Sequence, residues 1–534
     1  MNNIRILDCT LRDGGYINEW NFKRNNIAAL IHKLIEANVD IVECGFLEDL
    51  KYNEDQSLFS NVDQIKKLLP QDRKNTMLVA MTRYPELNID NLEPYSEHSI
   101  DGIRVTFHKD EALEAIEYCK LIQKKGYKVF VQPVGTTDYS DAEILTLIKQ
   151  VNEINPYAFY IVDTLGLMTK TEVIRMYYLI DNNLKENVHL GFHSHNNMQL
   201  SFSNAQELVE LHSKRPLIFD ASVYGMGRGA GNLNTELITE YLNRYQHASY
   251  ITDHILESID EIIEPIKQKY SWGYSAPYYM AALHECHPNY ATYLMDRKTI
   301  PVLGISKILS SLAADKKSMF DKKYVEQQYL KYQENVIDDM KDLEAIQKLL
   351  SNQNILILAP GLSIKMQEQL VKKYIKENKC LVISVNFQSE MYESDIIFYS
   401  NKKRFKQVEI NKQLMSEKTI VITTSNINAS DSTFTLNYTN LINFEPLVSD
   451  NATLMLIKLL TLINVRKVAI AGFDGYGINE NQHYVDSWLE TNLDTEVLEN
   501  INKQIKKVLE QYERKIELLY ITETVYDFKK KLKS

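Results

Sequence analysis

Ile4-Arg5-Ile6-Leu7-Asp8, an amphipathic stretch over 24–37, and Asp40-Ile41-Val42-Glu43-Cys44-Gly45-Phe46 form the first unit of a pattern that decides the fold. Two short apolar runs separated by apolar residues at helical spacing read as strand, helix, strand. A connection of that length joins parallel strands. Working outward, further strand-like runs fall at 76–82, 102–107, 128–133, 158–163, 189–193 and 218–223. Amphipathic stretches at 110–125, 141–153, 170–183 and 199–213 lie between them. The proline-containing segment 83–101 has room only for a short helix. Eight such units within about 250 residues predict a (β/α)₈ TIM barrel over 1–250. An open doubly wound sheet is the competing α/β arrangement, and the strand count alone does not separate the two.

Beyond residue 250 the strand pattern stops. Ile251–Glu264, Ala276–His287 and Ile305–Ala314 read as helices, with Pro265, Pro277, Pro288 and Pro301 as breaks. The span 251–350 is therefore expected to be a helical appendage, its charged part 315–350 a solvated helix and linker. A second α/β pattern begins at Asn354–Ala359, followed by Pro360-Gly361-Leu362-Ser363 and a helix to Glu377. Further strand runs at 380–386, 395–399, 419–424 and 467–472 predict a smaller Rossmann-like domain over 351–534.

Composition narrows the function classes. The 534 residues are 44% hydrophobic and 25% charged, as in globular proteins. A formal net charge of -11 argues against nucleic-acid or anionic-membrane partners. No apolar run approaches the roughly 18–20 residues of a membrane span. The N-terminus enters a strand-like run at once, so a cytoplasmic location without a signal peptide is expected. Cys9, Cys44, Cys119, Cys286 and Cys380 are scattered and odd in number, which argues against a disulfide framework. The expected partner is a small-molecule substrate, on a homo-oligomer.

Three segments carry the chemistry. Asp8-Cys9-Thr10-Leu11-Arg12-Asp13-Gly14-Gly15-Tyr16 follows the first strand, where barrel enzymes place catalytic groups. The Asp13 carboxylate suits a divalent cation, and the Arg12 guanidinium offers paired donors to a carbonyl or carboxylate oxygen. An ordinary loop ion pair would use the same two residues. Gly191-Phe192-His193-Ser194-His195 ends the seventh strand, and residues two apart on a strand project to one side. His193 and His195 are thus suited to one metal ion. Gly225-Met226-Gly227-Arg228-Gly229-Ala230-Gly231-Asn232 follows the eighth strand, its glycines allowing close backbone approach to a ligand.

Together these segments resemble the metal-dependent carbon–carbon lyase and synthase superfamily built on a barrel. Its members include 4-hydroxy-2-oxovalerate aldolase, 3-hydroxy-3-methylglutaryl-CoA lyase and isopropylmalate synthase. The resemblance spans about residues 1–250 and implies that Asp13, His193 and His195 ligate a divalent metal, with Asn232 as a further ligand or neighbour. It implies that Arg12 stabilises a developing enolate oxygen and that Glu43, on the second strand, holds the site together. Mn²⁺ or Mg²⁺ is expected, with Zn²⁺ or Co²⁺ also admitted by the imidazoles. The chain departs from the aldolase branch at Tyr16, which stands where that branch carries its histidine base. An ordinary tyrosine titrates near 10, so Tyr16 either acts in a strongly perturbed state, binds substrate or packs. His108 and the Tyr278–His284–His287 region are the replacement candidates.

In the second α/β domain, Pro360-Gly361-Leu362-Ser363 and Ala471-Gly472-Phe473-Asp474 each follow a strand. Gly361, Ser363 and Asp474 are its candidate ligand residues, since amides at a helix N-terminus suit an anion. The pair has a loose likeness to nucleotide-sugar-dependent glycosyltransferase domains. Two readings of the whole follow. One is an aldolase-type lyase or synthase acting through an enolate on a small 2-oxo acid. The other is an inactive barrel that serves as scaffold for a C-terminal nucleotide-sugar-binding domain.

Overall fold

The computed structural model describes residues 4–297, 299–409, 419–429, 432–477, 484–485 and 495–527. Eight parallel strands close on themselves: β1 (Ile4–Asp8), β2 (Ile41–Leu47), β3 (Met77–Arg83), β4 (Gly102–Phe107), β5 (Lys128–Pro133), β6 (Ala158–Asp163), β7 (His189–Ser194) and β8 (Leu217–Ala221). Leu7 of β1 is in register with Ile41 of β2 on one side and Asp220 of β8 on the other, which makes a barrel and excludes the open sheet. A two-residue strand, Leu58–Phe59, is added beside the end of β2. There the β2 ladder shifts register, and Gly45 takes φ +147°. A Cβ at Gly45 would stand 2.2 Å from the Ser57 carbonyl oxygen, so the added strand depends on glycine.

Alternation along the strands builds two cores. Val42, Leu78, Ile103, Val131, Phe159 and Phe219 point outward and bury against Leu30, Leu34, Ile116, Ile148, Val173 and Leu208 of the surrounding helices. Each such side chain contributes on the order of 2 kcal/mol when removed from water. Leu7, Ile41, Val79, Phe130, Ala158, Tyr160 and Ile218 point inward as a separate cluster that plugs the barrel. Segment 83–101 holds one 3₁₀ turn, Ile89–Asn91.

The chain divides into two compact units, one of residues up to 291 with 314–320, the other of 292–313 with 321–534. The helical stretch 251–350 is thus split rather than forming one appendage. Ile255, Ile262, Ile263 and Trp272 join the barrel's outer core. Helices Lys322–Gln333 and Met340–Leu350 belong to the second unit and are not simply solvated. Val325 and Tyr329, then Ile346 and Leu350, recur four residues apart and are buried. The intervening charges dominate the composition without deciding the buried face.

The second unit carries seven parallel strands: β9 (Ile355–Leu358), β10 (Leu381–Val385), β11 (Ile396–Tyr399), β12 (Ile420–Thr424), β13 (Phe434–Leu436), β14 (Lys467–Ala471) and β15 (Glu517–Tyr520). Their order is β13-β12-β11-β10-β9-β14-β15, so the sheet reverses direction between β9 and β14. Ile355 and Ile357 pack with Leu456, Val508 and Leu509 on one face. Leu356 and Leu358 pack with Ile364 and Val371 on the other. Helices on both faces make this a doubly wound sheet. Among the described residues no helix is long and apolar enough to cross a membrane.

Candidate metal centre

The loops after β1, β7 and β8 bring the three sequence motifs to one place. The Thr10 hydroxyl accepts the Val223 amide at 2.8 Å, tying the β1 loop to the β8 loop. Asp13 ends a one-turn helix, Thr10–Asp13, directly above β1. One ligand atom from each of Asp13, His193 and His195 lies within 4.8 Å of the others, and all three side chains are buried. One cation with bonds of roughly 2.0–2.3 Å closes that spread with small side-chain movement. Among the described residues this is the one cluster of its kind.

Charge and hydrogen bonding prepare these atoms. Burial would raise the Asp13 carboxyl, but Arg12, the two imidazoles and the Asn232 amide hold it well below the usual carboxylate range. Burial pushes His195 down to about 4, so its imidazole is neutral at neutral pH. Asn232 Nδ2 donates to Asp13 Oδ2 at 2.7 Å and to the Met226 carbonyl at 3.3 Å. Its Oδ1 is buried with no hydrogen-bond partner among the described residues. A Cβ at Gly227 would stand 2.3 Å from Asn232 Nδ2 and 2.7 Å from Asp13 Oδ2, so this loop lies against those two side chains only because residue 227 is glycine. An orphaned amide oxygen, an ionised carboxylate and two imidazoles are a donor set that fits a divalent cation.

A chain of buried charges runs beneath the cluster. Arg12 Nη1 donates to Asp13 Oδ1 at 2.5 Å, and Arg12 Nε donates to Glu43 Oε2 at 2.8 Å. Arg104 Nη1 lies 2.9 Å from Glu43 Oε1, and Arg104 Nη2 donates to Asp220. Asp220 Oδ2 is 3.1 Å from His193 Nδ1, a carboxylate placed as those that orient a metal-binding imidazole are. The chain thus begins at one candidate ligand and ends at another. Arg104 and Asp220, which link Glu43 to His193, are candidate site residues that the motifs did not include. The signal available was a charged residue at an inward position of an otherwise apolar strand, in Gly102-Ile-Arg-Val-Thr-Phe107 and Leu217-Ile-Phe-Asp-Ala221. Glu43 is fully buried between two guanidinium groups, where it positions Arg12. Arg12 Nη2 is buried and has no partner among the described residues.

The remaining predicted residues separate. Tyr16 is 40% exposed at the lip, its ring 3.9 Å beneath the Arg228 guanidinium and edge-on to Trp20. Burial of its hydroxyl raises the phenol above its ordinary value, against the attraction of Arg228, which is the wrong direction for a base. His108 caps the turn Lys109–Glu111. His284 offers its carbonyl to Lys317. His287 is pushed down to about 4 by burial and then by Arg228. The adjoining Pro288 comes within 3.5 Å of where a Gly229 Cβ would stand. In the other unit, Gly361, Ser363 and Asp474 do meet at the ends of β9 and β14. The Ser363 amide and hydroxyl donate to Asp474 at 2.8 and 2.5 Å, so the amide expected to hold an external anion bonds an internal carboxylate.

Residues 3–263 match the family model described as HMGL-like. A 4-hydroxy-2-oxovalerate aldolase of Geobacillus genomosp. 3 is 26% identical over 268 residues, 49% of this chain and 77% of that protein. An oxaloacetate decarboxylase of Mycobacterium tuberculosis is 22% identical over 247 residues, 46% of this chain and 72% of that protein. The crystal structure of an HMG-CoA lyase from Brucella melitensis superposes with a TM-score of 0.41 at 16% identity, covering 50% of this chain and 100% of that chain.

Proposed function

Taking residues 3–263 as an HMGL-like domain, we propose that the barrel is a divalent-metal-dependent carbon–carbon lyase of the aldolase type, acting on a small 2-oxo acid. The observation that carries this reading is the convergence of Asp13, His193 and His195 beside the unpartnered Nη2 of Arg12. Nothing in barrel packing calls for that arrangement. A divalent cation there, Mn²⁺ or Mg²⁺ first and Zn²⁺ or Co²⁺ also admitted, would polarise the oxygen beside the bond that breaks.

The chain's own residues account for the rest. Cleavage of a 4-hydroxy-2-oxo acid removes the hydroxyl proton, breaks the C3–C4 bond and sends the electron pair toward the 2-oxo oxygen. Arg12 Nη2 donates to that oxygen as its charge develops, a contribution that grows in the transition state. Glu43 and Asp13 fix the guanidinium from two sides, so little reorganisation is needed. Tyr16 keeps its proton at neutral pH and serves as a donor to substrate. The hydroxyl proton needs an acceptor, and we propose His287, whose imidazole is neutral and whose neighbour Pro288 lies against the Gly229 loop. The aldehyde leaves, and the remaining enolate is protonated at C3.

The test is metal analysis of the purified protein together with release of pyruvate from 4-hydroxy-2-oxo acids, with and without Mn²⁺. Asp13→Ala and His193→Ala are each expected to remove most bound metal and activity while the barrel's circular dichroism is kept. Wild-type metal occupancy in both variants would refute the ligand assignment.

A further inference from the structure

A cleft of about 390 Å³ opens at the C-terminal ends of β9 and β14 in the second α/β unit. This is where the strand order reverses, so the connections after the two strands leave toward opposite faces and part from each other. Open α/β sheets bind ligands at such points. The volume lies in the range of small-molecule sites. Its base is backbone, where the Gly361 amide donates to the Gly472 carbonyl at 2.8 Å.

The walls have a definite chemistry. Tyr476 and Tyr484 line one side, their hydroxyls 2.8 Å apart. Arg404 lies close enough to both tyrosines to feel them electrostatically, and burial pulls its guanidinium below its ordinary value. Lys322 stands exposed at the rim. The start of the 11-residue helix Ala452–Leu462 also reaches the cleft, with Ala452 and Thr453 in its lining. Asn451 caps the Leu454 amide, and the amides of the first turn have no partner within the helix. Two of the cleft's carboxylates are engaged internally. Asp450 takes the Tyr329 hydroxyl and lies 3.8 Å from Arg297, while Asp474 is bonded to Ser363. The cleft therefore gathers Arg404, Lys322, the helix amides and two tyrosine rings, with the Asp296 carboxylate also in its lining.

We propose that this cleft binds a nucleoside phosphate, with the phosphates held by Arg404, Lys322 and the amides at Ala452 and Thr453, and the base against Tyr476 and Tyr484. A guanidinium and helix amides together favour phosphate over an uncharged sugar. The aromatic pair and the volume call for more than inorganic phosphate alone. The site shifts the ligand position expected at Ser363 and Asp474 across the cleft, because Asp474 already occupies those donors. It stands independently of the barrel's chemistry.

The experiment is isothermal titration of the full chain with ADP, GDP, CDP and UDP, each beside its nucleoside, and with inorganic phosphate. At least one diphosphate is expected to bind with Kd below about 100 µM, its nucleoside and inorganic phosphate at least about tenfold more weakly. Arg404→Gln is expected to weaken that diphosphate about tenfold or more. Lys322→Glu, at an exposed position that packing does not constrain, is expected to weaken it several-fold and carries the test should Arg404→Gln fail to fold. The proposal is overturned if none of the four diphosphates binds below about 1 mM. It is equally overturned if nucleoside and diphosphate bind alike, or if neither variant changes the affinity.

Discussion

Arg12 makes three different uses of one guanidinium: Nη1 on Asp13, Nε on Glu43, and Nη2 buried without a partner among the described residues. Lysine has the charge but not the planar fork, so it can satisfy at most part of this set. Arg12→Lys is therefore expected to lower turnover on the order of 10²–10³-fold. Saturating Mn²⁺ is not expected to restore it, because the lost donor acts on substrate oxygen rather than on the metal. Steady-state kinetics across a metal titration measures this, and recovery to near wild-type turnover would reduce Arg12 to a loop-ordering ion pair. The motif around Arg12 was readable because its neighbours are consecutive. Its counter-ion Glu43 was readable only through the family resemblance, and Arg104 not at all, since a lone charge in an apolar strand names no partner.

At the scale of single elements, the β8 loop and the β7 strand make separate demands. The loop approaches Asp13 and Asn232 so closely that Gly227→Ala must shift either those side chains or the loop itself by several tenths of an ångström or more. The expected result is a fall in Mn²⁺ affinity of at least about tenfold with the barrel still folded, read by metal titration. Unchanged affinity would show that the loop yields without moving the ligands. At the other end of β7, His189 Nδ1 donates to the Tyr157 carbonyl at 3.0 Å, and its ring stacks on Tyr157 at 4.3 Å. Burial, then Arg5, lowers its pKa to about 4. The unfolded chain protonates this imidazole near 6.5, before the folded chain does, so its stabilising contribution is complete above pH 6.5 and is lost as pH falls toward 4. His189→Phe keeps the stack and removes the titration. Its loss of stability between pH 6.5 and 4 is expected to be smaller than wild type by about 2 kcal/mol, after allowance for partial exposure. Urea denaturation at the two pH values measures it, and parallel pH profiles would contradict the burial argument.

Across the whole molecule, the candidate metal ligands all lie in one compact unit and the proposed nucleotide cleft in the other. A ligand that binds only the folded state stabilises it by about 2.7 kcal/mol at a hundred times its Kd. Mn²⁺ is accordingly expected to slow hydrogen exchange in β1, β7 and β8 and leave β9 to β15 unchanged, and exchange mass spectrometry resolves the two. Equal protection of both sheets would contradict a metal site confined to the barrel. The division between units was the part least legible beforehand. Helices Lys322–Gln333 and Met340–Leu350 are rich in charge, and their buried stripes are too narrow to declare which core they join. Strands Phe434–Leu436 and Glu517–Tyr520 are too short to show a period. By contrast, the amino-acid sequence alone determined the strand–helix alternation of the barrel and the residue types of its mouth, because both are local: periodicity spans a few residues, and each motif is contiguous. Only the tertiary structure decided that the sheet closes, that Arg104 and Asp220 join Glu43 to His193, and that Asp474 fills the anion position beside Ser363. Those contacts lie between residues dozens to more than a hundred positions apart, and no local spacing carries the distance between them.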